Sequence, residues 1–446
     1  MLECVSIVGL GKLGAPMAAA IASKGVRVIG VDIDENKVNA IGRAEPPVYE
    51  PGLSELLQQA KANLTATTDL QQAVLDSQAT FIVVATPSRL DGHFSLDYVL
   101  DACKVIGQAL REKSDWHIVV ITSTVSPLSM DEQIRPFLEE VSGKRASIDF
   151  GLAYNPEFIA LGTVIRDFLN PDLILIGESD PKTGDTLQAF YMRILDNIPA
   201  FARMNFVNAE LTKLSINTFV TTKISFANML ARICERLPGS DVDVVTAALG
   251  KDSRIGPKYL RGAVSYGGPC FPRDNLALIA LARQIGAIAD VAETTDNFNR
   301  SQNAWLAEFV YQHVLPGQVV GVLGLAYKPG SDVIEESPAI YLLRYLLDKQ
   351  VSVVAYDPAA RANAEQLFRD RVRWAASAEA CVTASEVVVI PTVWPEFKKI
   401  PTSVWIGGAS KRTVIDCWRA FPELSQADGL RYVSLGQGPS RVRVPV

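Results

Sequence analysis

The fold of the first part of the chain is decided by the sequence VSIVGLGKLG at residues 5–14 and by VRVIGVDID at residues 26–34. Val5–Val8 and Val26–Val31 have the length and β-branched content of buried strands, and Gly14–Lys24 between them is apolar enough for a buried helix. Two parallel strands need such a crossover connection. The sequence therefore predicts a β-α-β unit at the start of a doubly wound parallel sheet.

Three glycines, Gly9, Gly11 and Gly14, occupy the turn between the first strand and the helix. In the dinucleotide-binding fingerprint the first glycine permits a tight turn, the second lets the backbone approach a pyrophosphate, and the third allows the helix to pack closely on the strand. Asp32 ends the second strand, where a carboxylate accepts a hydrogen bond from a ribose 2′-hydroxyl and repels a 2′-phosphate. These four residues predict a site for NAD and disfavour NADP.

The strand and helix rhythm continues outward from this unit, and further strands are predicted at Ala79–Ala85, His117–Thr122, Phe150–Tyr154 and Leu173–Ile176. The pattern changes at Asn208–Leu237, which contains neither Pro nor Gly and predicts one long helix. A second strand–helix–strand unit begins at Gln318, and its second strand ends in Asp357 as that of the first unit ends in Asp32.

The predicted fold class is α/β, with two Rossmann-like doubly wound parallel-sheet domains joined by the long central helix and a helical middle domain. The expected boundaries are 1–207 for the first Rossmann-like domain, 208–314 for the helical domain and 315–446 for the second Rossmann-like domain.

Composition and charge exclude several classes of protein. The chain has 446 residues, with 43 Lys and Arg against 49 Asp and Glu, and its basic residues are scattered, so we expect no nucleic-acid partner. No run approaches the roughly 20 apolar residues of a membrane helix, and the chain enters its first strand without a signal-like segment. We therefore expect a cytoplasmic protein with no membrane partner. Three His and six singly placed Cys lack the spacing of metal ligands, so we expect no metal site.

A reactive cysteine is one interpretation of the stretch GGPCFPRD at residues 267–274. Cys270 lies in a Gly/Pro-rich turn, with Arg273 and Asp274 close behind it. A thiol in a loop beside a cation has the setting of a nucleophile. From the residues alone, an inert cysteine is an equally good interpretation.

Two further positions carry candidate chemistry. Lys213 and Asn217 lie four residues apart and therefore on one face of the long helix, as either a functional pair or an ordinary solvated pair. Glu157, in the turn Asn155-Pro156-Glu157, follows a strand of the first sheet, at the edge where doubly wound proteins bind ligands. A helix N-cap is the alternative role for this carboxylate.

These residues together resemble the nucleotide-sugar 6-dehydrogenases, the UDP-glucose/GDP-mannose dehydrogenase family. The resemblance covers nearly the whole chain and follows the order of the family's motifs. It is carried by GLGKLG at 9–14 and by the segments Tyr49–Leu57, Ser123–Val125, Tyr154–Phe158, Glu210–Asn217, Asp252–Leu260, Gly267–Asp274 and Leu325–Asp332.

The resemblance implies an NAD-dependent four-electron oxidation of the carbon-6 alcohol of a nucleotide sugar, in the first place UDP-glucose to UDP-glucuronate. It implies that Cys270 forms a thiohemiacetal and then a thioester, that Lys213 stabilises oxyanions, that Asn217 and Asp274 position the hydroxyl or a water, and that Glu157 is the base for hydrolysis. UDP-N-acetylmannosamine, UDP-N-acetylglucosamine and GDP-mannose are alternative substrates. A two-electron hydroxy-acid dehydrogenase and a non-catalytic NAD-binding protein are alternatives from other classes.

The resemblance also implies binding residues and a homodimer built on the central helix. The cofactor residues are Gly9, Gly11, Leu13, Gly14, Asp32, Lys37, Thr86, Thr124 and Arg273. The nucleotide-sugar residues are Phe158, Ile159, Lys213, Asn217, Arg254, Tyr259, Gly267 and Lys328. Arg254 is expected to reach the substrate of the neighbouring subunit, and the second Rossmann-like domain is expected to hold the uridine diphosphate.

Three residues depart from the family pattern. Leu161 stands where many of these enzymes carry a carboxylate, and Glu335 stands where they carry Arg. Arg273 replaces the usual Lys before Asp274, which keeps the charge and changes its geometry. The departures indicate a divergent subgroup and leave the hexose open.

Overall fold

The structure, a computed structural model, describes residues 2–407 and 411–439. The chain divides into two compact units. The first comprises Met1–Ser215 with Ala280–Ala287, and the second comprises Ile216–Ile279 with Ile288–Val446. Each unit contains one large β-sheet.

The sheet of the first unit has eight strands. In chain order they are β1 Cys4–Val8, β2 Arg27–Val31, β3 Leu64–Thr67, β4 Ala79–Ile82, β5 Ile118–Ile121, β6 Gly151–Tyr154, β7 Leu173–Glu178 and β8 Ala200–Met204. Their order across the sheet is β3-β2-β1-β4-β5-β6-β7-β8. Neighbouring strands are parallel except for β6 and β7, in which Ala153 pairs with Glu178 and Tyr154 with Gly177.

Eight helices accompany these strands in the sequence. They are α1 Gly14–Ser23, α2 Glu35–Gly42, α3 Leu53–Ala60, α4 Leu70–Asp76, α5 Asp97–Glu112, α6 Arg135–Ser142, α7 Val164–Leu169 and α8 Pro181–Ile194. A π-helical turn, Met130–Ile134, immediately precedes α6.

Both faces of the first sheet are buried, which explains the apolar runs in its strands. Ile7 and Phe81 belong to one hydrophobic cluster, whereas their neighbours Val8 and Ile82 belong to another. Successive residues of a strand point to opposite faces, so the two clusters lie on the two sides of the sheet. A strand with both faces buried shows no alternation of polar and apolar residues, and this is the pattern of residues 4–8.

The order of the strands leaves a place for a ligand at the carboxyl ends of β1 and β4. From β1 the chain proceeds to β2 and β3 on one side, and from β4 it proceeds to β5 and β6 on the other. The loops that follow β1 and β4 therefore leave in opposite directions, and open α/β sheets bind their ligands in the resulting crevice. Gly9 follows β1, and Thr86 follows β4.

Four helices lie between the two sheets in the sequence: α9 Phe206–Cys234, α10 Val242–Gly250, α11 Phe271–Gln284 and α12 Asp290–Tyr311. Both α9 and α11 contain residues of each unit. The loop between α10 and α11 is fastened to α9 by the buried side chain of Asn228, which accepts from the Ala263 N–H at 2.7 Å and donates to the Val264 carbonyl at 2.9 Å.

The sheet of the second unit has six strands, all parallel. In chain order they are β9 Val319–Leu323, β10 Ser352–Tyr356, β11 Arg373–Trp374, β12 Val387–Ile390, β13 Arg412–Asp416 and β14 Leu430–Ser434. Their order across the sheet is β11-β10-β9-β12-β13-β14. The accompanying helices are α13 Pro338–Asp348, α14 Arg361–Phe368, α15 Ala378–Thr383 and α16 Thr402–Ile406, with short 3₁₀ turns at Arg369–Arg371, Pro395–Lys399 and Pro422–Gln426.

The predicted fold class is confirmed, and the strands and helices named from the sequence are present within a few residues of their predicted ends. Six strands were not predicted: the edge strands β3 and β8 of the first sheet, and β11 to β14 of the second. Strands β3 and β8 are among the least buried strands of the first sheet, so their residues need not be uniformly apolar. The prediction was a parallel sheet, and the antiparallel pairing of β6 and β7 departs from it.

The division into domains 1–207, 208–314 and 315–446 stays a prediction. The last of these ranges includes 408–410 and 440–446, which lie outside the described residues. Across the part of the chain that the structure describes, no helix is both long enough and apolar enough to cross a membrane. Within the same residues, no three His, Cys, Asp or Glu side chains are grouped so as to hold a metal ion.

Candidate active site

The turn after β1 is shaped for close approach of a ligand backbone. Gly9 has φ +100°, and its N–H donates to the Val31 carbonyl at 2.7 Å. A Cβ on Gly14 would lie 1.8 Å from the Gly9 carbonyl oxygen, so only glycine allows α1 to start here. A Cβ on Gly11 would meet nothing within 4 Å, which leaves open space above the turn. This cradle has the shape that a pyrophosphate requires.

The N-terminus of α1 is available to an anion. Leu13 precedes the helix, no side chain caps it, and its first turn contains no acidic residue. The first N–H groups of a helix lack partners within the helix and carry a partial positive charge. Together with the glycine turn, this end of α1 fits the pyrophosphate of a dinucleotide.

Asp32 joins the turn to the end of β2. Its Oδ2 accepts from the Leu10 N–H at 2.7 Å and from Lys37 Nζ at 3.2 Å, and its Oδ1 accepts from the Asp34 N–H at 3.0 Å. A carboxylate has about four acceptor positions. One therefore remains for a ribose hydroxyl, and the negative charge beside it opposes a 2′-phosphate.

The loops after β4 and β5 are joined to each other at the same edge of the sheet. The Thr86 hydroxyl donates to the Thr124 carbonyl at 2.8 Å, and the Ser123 hydroxyl donates to the Val84 carbonyl at 2.6 Å. The structure thus brings together Thr86 and Thr124, two of the residues that the family resemblance assigned to the cofactor.

A carboxylate and an ammonium group lie beside each other after β6. Lys213, only 6% exposed, donates from Nζ to the backbone carbonyl of Glu157 at 2.5 Å and lies 4.6 Å from the ring centroid of Phe158. Burial raises the pKa of Glu157 to about 7, although the positive charge of Lys213 and the nearby hydroxyl of Tyr191 oppose the increase. Among the described residues, Glu157 Oε1 has no hydrogen-bond partner. A carboxylate with such a pKa is suited to take up and release a proton at neutral pH.

The role of Tyr191 near this carboxylate was not detectable in the sequence. Its hydroxyl donates to Asn155 Oδ1, and the amide of Asn155 donates to the Leu175 carbonyl at 2.9 Å. Tyr191 belongs to α8, far along the chain from Glu157, and no local spacing signals the contact.

The second unit contains a buried polar pair on α9 and α11. Asn217 Nδ2 donates to Asp274 Oδ2 at 2.6 Å, and the two residues are 7% and 1% exposed. Lys213 is also buried, which removes the alternative of a solvated Lys213 and Asn217 pair. A buried carboxylate and amide in contact have fixed positions, so they can orient a hydroxyl group.

Cys270 immediately precedes α11, and its side chain is exposed. The Asp274 N–H donates to the Cys270 carbonyl at 2.9 Å, which is the first hydrogen bond of that helix. Arg273 lies in the first turn, with Nε 3.9 Å from Asp274 Oδ1. The N-terminus of a helix favours negative charge, and this is the form in which a thiol attacks carbon.

The loop before Cys270 is packed against the turn after β9. The Gly268 N–H donates to the Glu335 carbonyl at 2.9 Å, and a Cβ on Gly267 would lie 2.3 Å from the Glu336 carbonyl oxygen. In the same loop Tyr259 is half-exposed, has φ +65° and contacts the edge of Phe271 with ring centroids 6.5 Å apart. A non-glycine residue with positive φ is frequently found at a functional site.

Three other predicted residues have contacts within their own units. Ile159 packs on the hydrophobic cluster that contains Ile7. Arg254 is exposed and ion-paired with Asp252, with Nη2 2.6 Å from Oδ2. Lys328 Nζ lies 5.9 Å from the ring centroid of Tyr327.

The second Rossmann-like turn repeats the geometry of the first, with a different use of its carboxylate. Gly324 has φ +92°, as Gly9 has φ +100°, and Asp357 Oδ2 accepts from the Leu325 N–H at 2.7 Å. Asp357 also accepts from the indole N–H of Trp394 and from three more backbone N–H groups. It is 2% exposed, so it has no acceptor position left for a ribose.

Known proteins were compared with this chain in both sequence and fold. Three sequence profiles of the UDP-glucose/GDP-mannose dehydrogenase family match the chain: the NAD-binding domain at 3–195, the central domain at 207–301 and the UDP-binding domain at 321–423. The chain belongs to this family. It is an NAD-dependent oxidoreductase of the nucleotide-sugar 6-dehydrogenase type.

Individual relatives differ in the substrate that they are named for. A UDP-glucose 6-dehydrogenase of Haloferax volcanii is 37% identical, over 97% of this chain and 99% of that protein. A GDP-mannose 6-dehydrogenase of Pseudomonas aeruginosa is 36% identical, over 79% of this chain and 80% of that protein. Among solved structures, a UDP-glucose dehydrogenase from Pyrobaculum islandicum has a TM-score of 0.89 at 32% identity and covers 98% of both chains.

The charge of Asp32 should set the cofactor preference. In Asp32→Ala, the predicted ribose acceptor and the repulsion of a 2′-phosphate are both lost, and Lys37 loses the carboxylate with which it is ion-paired. We expect kcat/KM with NAD to fall by about 10–100-fold, because hydrogen bonds to charged groups are worth that much, and the ratio of NAD to NADP activity to narrow. Kinetics with both cofactors measure this ratio.

The matched control is Asp34→Ala, which removes the N-cap of α2 without touching the ribose position. It should leave the NAD to NADP ratio unchanged. A wild-type preference for NADP, or an equal change of the ratio in both variants, contradicts the role given to Asp32.

Proposed function

We propose that this chain oxidises the carbon-6 alcohol of UDP-glucose to the carboxylate of UDP-glucuronate through intermediates covalently bound to Cys270. The observation that carries the proposal is the exposed thiol of Cys270 at the start of α11, in a chain that also holds a buried base, Glu157, beside the ammonium of Lys213. A two-electron dehydrogenase has no use for the thiol.

The proposed reaction proceeds in three stages. The alcohol loses a hydride and a proton and becomes an aldehyde. The Cys270 sulfur then adds to the aldehyde carbon as the thiol proton passes to the carbonyl oxygen. The resulting thiohemiacetal loses a second hydride and its hydroxyl proton to become a thioester. Water attacks the thioester carbon, the carbon–sulfur bond breaks, and the acid and the thiol are released. NAD, when bound, accepts the hydride in each oxidation.

Each polar side chain has a role that suits its surroundings. Lys213 is a buried cation, which stabilises the alkoxide and the tetrahedral oxyanion at low reorganisation cost. Asn217 and Asp274 are bonded to each other and orient the hydroxyl or the attacking water. Glu157 removes a proton from that water, as its pKa of about 7 suits it to do at neutral pH.

Binding roles follow the same assignment. For the cofactor, Leu13 and the glycines receive the pyrophosphate, Asp32 receives the ribose, and the remaining contacts are assigned to Lys37, Thr86, Thr124 and Arg273. For the nucleotide sugar, we assign contacts to Phe158, Ile159, Arg254, Tyr259, Gly267 and Lys328. The fully occupied carboxylate of Asp357 supports a UDP site, as opposed to a second dinucleotide site, in the second Rossmann-like domain.

We propose UDP-glucose before the other nucleotide sugars because of the names of similar proteins. Both the Haloferax volcanii protein and the Pyrobaculum islandicum structure are named for UDP-glucose. GDP-mannose and UDP-N-acetylmannosamine are alternatives, since relatives at 36% and 25% identity are named for them. Leu161 and Glu335, which depart from the family pattern, are the residues to examine if the preferred hexose differs.

A homodimer through α9 is part of the proposal. Four apolar side chains on one face of this helix are substantially exposed: Phe219, Phe226, Met229 and Ile233. A stripe of large apolar residues on a helix is typical of a protein interface. We also propose a cytoplasmic location and the three-domain division at 207 and 314.

Substrate preference is tested by measuring NADH release with UDP-glucose, UDP-N-acetylmannosamine, UDP-N-acetylglucosamine and GDP-mannose. We expect kcat/KM to be highest for UDP-glucose by about tenfold or more, a typical margin for one substituent that fits or clashes. Two NADH should form per sugar. Release of one NADH per sugar contradicts the four-electron reaction. If kcat/KM is higher for another nucleotide sugar, that sugar is the substrate and UDP-glucose is not.

The covalent route is tested with Cys270→Ser and Glu157→Gln. Cys270→Ser should bind both ligands and lose formation of the acid by several orders of magnitude. Glu157→Gln should slow hydrolysis by about 10²–10⁴-fold, the usual contribution of a general base, so that mass spectrometry detects a glycosyl-nucleotide adduct on Cys270 only when NAD is present.

The pH dependence separates these roles. In wild-type enzyme, single-turnover hydrolysis should slow as the pH falls below about 7, because Glu157 becomes protonated. In Glu157→Gln this dependence should disappear. Near-normal release of two NADH by Cys270→Ser would eliminate the thioester.

Sharing of the site between subunits is tested by mixing Arg254→Ala with Cys270→Ala. In a heterodimer, one site combines the intact Cys270 of one chain with the intact Arg254 of the other, so about half of the wild-type activity should return. Each parent homodimer should stay weak. If verified heterodimers recover no activity, Arg254 does not serve the neighbouring subunit.

A further inference from the structure

Glu210 is a fully buried carboxylate in the first turns of α9. Its Oε2 accepts from the Leu128 N–H and its Oε1 accepts from the Met130 N–H, both at 2.8 Å. Burying a carboxylate is unfavourable unless its charge is compensated. These two backbone groups compensate it in part, and burial still raises the pKa of Glu210 to about 7. Both oxygens are therefore committed to the segment that follows β5.

That segment, Thr122–Ser129, includes a backbone conformation that is unfavourable for its residues. Leu128 has φ +77°, in the left-handed region that non-glycine residues rarely occupy. The π-helical turn that starts at Met130 is also an uncommon conformation, often found at functional sites. The hydrogen bonds to Glu210 hold the chain at the junction between these two features.

The same segment reaches the crevice at the carboxyl ends of β1 and β4. Its Thr124 carbonyl accepts from the Thr86 hydroxyl in the loop after β4. That loop lies against the glycine turn, because a Cβ on Gly9 would be 2.6 Å from the Val83 carbonyl oxygen. A continuous series of contacts thus connects Glu210 to the turn that fits the pyrophosphate.

One helical turn after Glu210, the same helix presents Lys213 to the loop after β6. The first turns of α9 are therefore attached to two neighbouring loops, the loop after β5 through Glu210 and the loop after β6 through Lys213. Residues three apart lie on the same side of a helix. A shift of the Thr122–Ser129 segment would consequently disturb the Lys213 contact as well.

We propose that Glu210 is a positioning residue, which holds Thr122–Ser129 in the shape that receives NAD and ties this segment to the helical turn that carries Lys213. The inference rests on the proposed function, in which Thr124 contacts the cofactor. Nothing in it requires Glu210 to touch the cofactor or the sugar.

The first test is Glu210→Gln, in which the amide NH₂ must face one of the two backbone N–H groups. We expect the Kd for NAD to rise by about tenfold or more, since a hydrogen bond to a charged group is lost. The Kd for UDP should stay within about twofold, since Glu210 belongs to the first unit and the UDP-binding domain, residues 321–423, lies in the second. Calorimetry with each ligand alone gives both values without turnover. An unchanged Kd for NAD in a folded variant overturns the proposal.

The second test is rescue of Glu210→Gln by Leu128→Gly. Glycine adopts positive φ without a steric penalty. The segment should therefore keep its conformation even when a hydrogen bond to residue 210 is lost, and part of the NAD affinity should return. If Glu210 contributed only general stability, the second substitution would not restore affinity, and that result contradicts the proposal.

Asp180→Asn is the matched control. Asp180 is another carboxylate that caps backbone, with Oδ1 accepting from the Thr183 N–H at 3.0 Å at the start of α8. The variant should lower thermal stability and leave the Kd for NAD unchanged. An equal loss of NAD affinity in this control would show that the loss of any carboxylate bonded to backbone N–H groups has the effect attributed to Glu210.

Hydrogen exchange in the wild-type protein keeps the proposal testable if Glu210→Gln does not fold. The amides of Leu128 and Met130 should exchange slowly before NAD is added, because they are already bonded to Glu210. Exchange as fast as in an exposed loop overturns the proposal. Wild-type NAD binding without oxidation of any nucleotide sugar would instead count against the proposed function alone.

Discussion

Buried carboxylates that accept backbone N–H groups hold the loops of this chain in place, and the rest of the structure depends on them. Where a strand ends, the N–H groups of the following loop have no partner in the sheet, and those shielded from water must be paired by other means. A carboxylate offers two oxygens for this purpose. The residues that serve in this way are Asp32, Glu50, Glu210, Asp357 and Asp416. Loops held so firmly can present backbone and hydroxyl groups to a ligand in fixed positions.

The surroundings of Glu157 are different, and they suit it to the proposed role of a base. Lys213 donates to the backbone carbonyl of Glu157, so the ammonium is anchored without a direct hydrogen bond to the carboxylate oxygens. Among the described residues, one of those oxygens has no hydrogen-bond partner. Burial keeps the pKa of this carboxyl group near 7. Glu210 lies in the same unit, and burial raises its pKa to about 7 as well. The difference is that each of its oxygens accepts a backbone N–H, which suits this carboxyl group to hold a loop.

Features formed by residues close together in the sequence could be predicted, whereas contacts between residues far apart in the sequence could not. The glycine turn, Asp32 and the long helix are local patterns, and all three were predicted within a few residues. The contact between Glu210 and Leu128 joins residues 82 apart, and that between Tyr191 and Asn155 joins residues 36 apart. Neither spacing has a periodicity that a single sequence reveals. The burial of Lys213 and Asn217 was likewise undetectable, because one helix face can meet either solvent or another helix.

The described residues contain two glycine turns of the same design, but Asp357 has no acceptor position left for a ribose, so only the turn beside Asp32 fits a dinucleotide. A reaction that removes two hydrides at a single such site requires the reduced cofactor to depart and an oxidised one to take its place before the second removal. The sugar must stay where it is throughout this replacement. In the proposed route a covalent bond to Cys270 would provide the retention that reversible binding would not guarantee, so the thiol would serve as a tether as well as a nucleophile. The lifetime of that bond, compared with the time needed for cofactor turnover, then decides whether the aldehyde escapes.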